Sequence, residues 1–105
     1  MANALKHERK GTAGRAGDMA LVSVIIPTYN RRSLVVEVVD CVLRQTIKDI
    51  EVIVVDDGST DDTCAVIKAI DDPRIRYFYK ENGGLPTARN LGWDTASGDY
   101  ICFLD

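Results

Sequence analysis

The chain of 105 residues is short of several features, and each shortage removes a class of protein. Its three cysteines, Cys41, Cys64 and Cys102, are an odd number without CxxC spacing, and its one histidine, His7, stands in a polar N-terminal stretch. That argues against a disulfide framework or a zinc site and leaves buried free thiols in a reducing compartment as the expectation. Basic residues do not cluster. The formal net charge is −3, with +2 in residues 1–18 and −5 in residues 19–105. An acidic body is no nucleic-acid surface, so no nucleic-acid partner is expected. No apolar run approaches the ~18 residues that a membrane span needs, and the N-terminus lacks the apolar centre of a signal peptide. The expected location is therefore cytoplasmic, at most peripheral to the inner face of a membrane in a full-length protein. Neither GxxxxGK[ST] nor GxGxxG occurs, which leaves a P-loop or dinucleotide fold without support.

What is present is alternation. Residues 1–20 carry glycine, alanine and charge without a period and read as a flexible N-terminal tail. "LVSVIIP" (21–27) is a buried-strand candidate stopped by proline. "SLVVEVVDCVLRQ" (33–45) has helical spacing, with Leu34, Val35, Val38, Val39, Val42 and Leu43 on one stripe and Glu37, Asp40 and Arg44 facing away. Ser33 is its candidate N-cap. "IEVIVVD" (50–56) is a second strand, "DDTCAVIKAI" (61–70) a second helix with Val66, Ile67 and Ile70 inward, and "RIRYFYK" (74–80) an alternating third strand near an edge. "GGLPTARNLGWDTASG" (83–98) opens a third helix with a proline suited to the first turn. "DYICFLD" (99–105) is the fourth strand. The order β-α-β-α-β-α-β with short loops predicts an α/β fold with parallel strands joined by right-handed crossovers and covered on both faces.

In such a sheet, ligands bind beyond the carboxyl ends of the strands, near the point where strand order reverses. The first strand ends in Pro27, Thr28, Tyr29 and Asn30, the second in Asp56 and Asp57, and the fourth in Asp105. If those three strands are neighbours, the carboxylates and the PTY loop share one rim. Two readings of "DDGST" stay open. The acids can accept donors from a base or ribose, or hold a metal, or they form a strand-to-loop turn that caps the next helix. Arg89, after the Gly-Gly-Leu-Pro stretch, can add a charged fork to a helix start that already favours anions, or can make a surface ion pair. Gly92 is unfavourable inside a helix unless close packing requires it, which favours a site. Tyr29 either stacks on a base or closes the core. Trp93 reads as core, Tyr77, Phe78 and Tyr79 as strand alternation, and the cysteines as structural. "DDGST" matches a phosphatase-type DxDx[TV] loop only if the second acid moves by one position. A phospho-receiver domain is a further, weaker alternative.

Taken in order and spacing, "VSVIIPTYNR", "LRQT…IEVIVVDDGSTDDT" and "NGGLPTARNLGWDTASGDYICFLD" resemble the N-terminal half of family 2 glycosyltransferases with the GT-A fold, from about Leu21 to Asp105. The resemblance implies a Rossmann-like parallel sheet of four strands and three helices, ordered third-second-first-fourth. It implies a nucleotide-sugar donor, most often a UDP-sugar, and a divalent cation, Mn2+ or Mg2+. By the resemblance, Pro27, Thr28 and Tyr29 line the nucleotide pocket, Asp57 bonds the uracil with Asp56 beside it, and Arg89 reaches the base or its surroundings. Asp105 matches the first acid of a DxD motif, on the ribose and beside the metal. The second acid, which ligates the metal directly, and the catalytic base both belong to positions past Asp105. Residues 21–105 are thus expected to be the nucleotide-sugar-binding part of an inverting hexosyltransferase-type enzyme. Alone, they are expected to be catalytically incomplete, with weak or absent metal binding and an acceptor (glycan or lipid) unspecified. A non-catalytic nucleotide-binding or interaction module is the alternative. In the fold the fourth strand is interior, so an open edge along Asp99–Leu104 is expected here, and with it pairing into a homodimer.

Overall fold

The computed structural model describes residues 5–9, 21–46 and 48–104. Eight elements follow in chain order: β1 (Leu5–Arg9), β2 (Val22–Thr28), α1 (Arg32–Leu43), β3 (Ile50–Asp56), α2 (Thr63–Lys68), β4 (Ile75–Tyr79), α3 (Leu85–Thr95) and β5 (Tyr100–Leu104). They form one sheet, ordered β1-β5-β2-β3-β4. The four strands from β2 onward pair parallel with one another, and β4-β3-β2-β5 is the expected order.

Side-chain alternation along the central strands builds two cores. Val24, Ile26, Val52 and Val54 pack with Val35, Val38, Val39 and Val42 of α1 and Ile67 of α2. The intervening Ile25, Ile53 and Val55 pack on the other face with Ala88, Ala96, Ile101 and Phe103. Every residue of β3 is buried, as a strand covered on both faces requires. Burying one Val or Ile side chain contributes ~1.5–3 kcal/mol, and this overrides the poor helix propensity of the valines in α1. The anticipated Asp40–Arg44 pair forms at 3.0 Å on the exposed side of α1.

Three features differ from the sequence reading. Ser33 lies inside α1, whose N-cap is Arg31 with no side-chain cap. The thiols are not deeply buried: Cys41 is exposed, and Cys64 and Cys102 are intermediate. Most consequentially, part of the stretch read as tail is a strand. β1 pairs antiparallel with β5, from Leu5 opposite Leu104 to Arg9 opposite Tyr100. The expected open edge therefore has a partner within the same chain, and the homodimer through that edge loses its premise.

Candidate functional site

The reversal of strand order falls at β2, which has β3 on one side and β5 on the other. Beyond its carboxyl end, three loops are stitched together. Asp57 N–H donates to Thr28 O at 2.8 Å. Asn30 takes a left-handed backbone, φ 49°, which Asn tolerates better than most residues. Its Oδ1 accepts from Thr60 N–H at 2.8 Å and Asp61 N–H at 3.2 Å, while its own N–H donates to Ser59 Oγ at 2.8 Å. Tyr29, next to it, is 46% exposed, so of its two readings the core is excluded.

The adjacent aspartates have separate roles. Asp56 is fully buried; its carboxylate accepts from Ser59 N–H at 2.8 Å and the Tyr77 hydroxyl at 2.5 Å. It holds the turn and the neighbouring strand. Burial, then this carboxylate, pushes the Tyr77 phenol far up. Asp57 turns to the start of α3. Its Oδ1 accepts from Lys80 Nζ at 2.7 Å and Gly83 N–H at 2.9 Å, and its Oδ2 from Gly84 N–H at 2.9 Å. Burial alone would raise the carboxyl's pKa; the Lys80 ammonium and the two N–H groups outweigh it and hold the group below the usual carboxylate range. The anion that the start of α3 favours is thus Asp57 itself. Both readings of the acidic pair meet here, because turn-holding explains how the charges are tolerated.

Gly58 (φ +85°) completes the junction, since a Cβ there would lie 2.7 Å from Asn82 N. Arg89 sits half-buried in the second turn of α3. Pro27 and Thr28 close β2 at the rim, and Asp105 lies outside the described residues. Gly92 belongs to packing, since its Cα side meets Ile25. Trp93 stacks on Phe103 with centroids 6.4 Å apart, as a core residue. Among the described residues, no three His, Cys, Asp or Glu side chains converge as a metal site.

The sequence reading missed Asn30, Lys80, Asn82 and Glu51 as organisers. Glu51 carried a signal, being an acid inside an aliphatic strand rather than at its end. Its carboxylate accepts from Ser23 Oγ at 2.6 Å, Ser97 N–H at 2.6 Å, Ser97 Oγ at 2.8 Å and Arg76 Nη1 at 3.1 Å. It ties β2, β3, β4 and the turn after α3 at the opposite end of the sheet. A hollow of about 310 Å³ lies there, lined by Lys48, Glu51, Arg74 and Arg76 among others. Its arginines are already paired, Arg74 with Asp72 and Arg76 with Glu51, so it offers no comparable site.

The family model described as Glycosyl transferase family 2 matches residues 23–105. The chain belongs to glycosyl transferase family 2. A glycosyltransferase of Rickettsia felis is 52% identical over 85 residues, covering 80% of this chain and 14% of the relative. The GalNAc(5)-diNAcBac-PP-undecaprenol beta-1,3-glucosyltransferase of Campylobacter jejuni is 43% identical over 91 residues, covering 83% and 29%. Among solved structures, the Pyrobaculum calidifontis mannosyltransferase PcManGT in complex with GDP-Man and Mn2+ superposes with a TM-score of 0.72 at 30% identity, covering 88% of this chain and 30% of that one. TarS 1–349 of S. aureus gives 0.73 at 32% identity, covering 80% and 26%. The parallel sheet and its three helices are thus part of a GT-A glycosyltransferase fold, and this family 2 chain spans less than a third of the length of each of these proteins. Membership leaves the phospho-receiver reading without support. No helix among the described residues is long and apolar enough to cross a membrane.

Proposed function

We propose that the rim built by Pro27–Asn30, Asp57 and the start of α3 is the nucleotide end of a donor site for a UDP-sugar, in an inverting glycosyltransferase that moves a hexose to a hydroxyl acceptor. The placement of Asp57 carries this reading. It is an ionised carboxylate at the switch-point rim, held rigidly by Lys80, Gly83 and Gly84 and suited to accept a base N–H. Exposed Tyr29 beside it offers a stacking face, and Arg89 supplies positive charge towards the base. Asp56 supports the site by fixing the turn. Asp105 is the acid for ribose and metal; a bound Mn2+ or Mg2+ would steady the leaving diphosphate. Alone, residues 1–105 bind donor without turnover, because neither the second acid of a DxD motif nor a base from an acceptor-binding half is among them.

The test is an amide NMR titration with UDP, with and without Mg2+, of the wild type and of Asp57→Asn. Shifts at Thr28, Asp57 and Arg89 are expected, weakened about tenfold in the variant, as for one charge-assisted hydrogen bond. A dispersed spectrum that ignores millimolar UDP would overturn the proposal.

A further inference from the structure

A carboxylate has about four acceptor positions, two on each oxygen. At Asp57, three are occupied by this chain. Lys80 Nζ and Gly83 N–H fill Oδ1, and Gly84 N–H takes one position on Oδ2. One position on Oδ2 remains. We propose that Lys80 is a positioning residue that sets base selectivity: by occupying Oδ1 it restricts Asp57 to a base edge presenting a single N–H. This inference rests on the reading above, that Asp57 meets the base.

Uracil offers one such donor, N3–H, between two carbonyls. Guanine offers two side by side, N1–H and the exocyclic N2–H2, and its match is a carboxylate with both oxygens open. Against Asp57 one guanine donor goes unmet, and a buried unmet donor costs roughly five- to a hundredfold in affinity. The occupancy of Oδ1 is built into the fold. Lys80 Nζ is anchored a second time on Glu81 O at 2.6 Å, and Asn82 Nδ2 donates to Asp57 O at 3.0 Å. Lys80 is 20% and Asp57 9% exposed at the side chain, so water competes little for the pair.

Inosine diphosphate separates donor number from base size, because hypoxanthine is a purine with N1–H and no amino group. The experiment measures dissociation constants of UDP, IDP and GDP by NMR titration or calorimetry, for the wild type, Lys80→Met and Lys80→Arg. For the wild type, UDP is expected to bind tightest and IDP roughly tenfold tighter than GDP. Lys80→Met should bring the IDP and GDP values together by improving GDP, and Lys80→Arg, which restores a donor to Oδ1, should return the gap. A wild type that binds GDP as well as IDP overturns the inference. So does a Lys80→Met that weakens all three nucleotides by one factor, the mark of a merely structural lysine. The wild-type comparison stands even if the methionine variant does not fold. A folded wild type that ignores all three nucleotides removes the reading of the rim itself, and the inference with it.

Discussion

Gly92→Ala is expected to destabilise this protein although alanine is the better helix former. On an exposed helix face the exchange would stabilise by about 1 kcal/mol. At position 92 the new Cβ would lie 2.4 Å from Ile25 Cγ2 and 3.2 Å from its Cγ1 and Cδ1, where carbon atoms normally rest ~3.5–4.0 Å apart. Ile25 is fully buried and cannot swing away, so α3 must lift from β2 by about 1 Å or more. Lifting it loosens the buried Ala88 and Ala96 and the stack of Trp93 on Phe103. Overpacking of this kind costs about 1–3 kcal/mol, and so severe a contact belongs at the top of that range. Offset by the helix gain, a net loss of about 2 kcal/mol remains, or roughly a 10 °C fall in midpoint for a domain of this size. Equilibrium urea unfolding, with Ile25→Ala and the double variant alongside, reads it directly. Ile25→Ala opens a cavity that the new methyl partly fills, so the double variant should be less destabilised than the sum, by ~0.5–3 kcal/mol. A Gly92→Ala protein as stable as the wild type, or more so, would refute the packing account of this glycine and return it to the rim as a candidate functional residue.

Further outcomes follow from the two polar networks. Glu51→Gln should cost about 2–3 kcal/mol, because an amide replaces one oxygen of a carboxylate that takes charge-assisted hydrogen bonds; urea midpoints measure it. Burial opposes ionisation of Glu51, but Ser23, Ser97 and Arg76 outweigh it and hold the carboxyl low, as Lys80 and the glycine N–H groups do for Asp57. Groups with depressed folded pKa values stabilise fully above their unfolded values, about 4, and lose that contribution as pH falls through the lower folded ones. Stability should therefore drop below about pH 4, and Glu51→Gln should make the drop shallower; denaturant titrations between neutral and acid pH check it. Asn30→Ala should cost about 1–2 kcal/mol through two lost hydrogen bonds and the left-handed backbone. Asn30→Asp, which keeps the acceptor, should stay near wild type in thermal unfolding.

Local pattern was enough for the parallel strands, the helices and their order. The β3 span follows from an aliphatic run that only Glu51 interrupts and that ends in aspartate, and the stripe of α1 from its 3.6-residue spacing, both patterns being local. The rim was legible too, because parallel topology sends every strand end after a β-α unit to the same side. What each rim residue does there was not legible. Asp56 and Asp57 are adjacent and chemically identical, yet strand pleat sends one inward to Ser59 and Tyr77 and the other to Lys80 and the start of α3. Gly92 likewise shows its reason only against Ile25, 67 positions away in the chain. The pairing of Leu5–Arg9 with β5 carries no periodic signal at all, since a strand edge recruits backbone rather than side-chain pattern. Sequence by itself determined the four parallel strands, the three helices, their order and the rim where the strand ends gather. Only the tertiary structure decided which donors each carboxylate accepts, because Tyr77, Lys80, Gly83 and Gly84 reach the pair from 21 to 27 residues away.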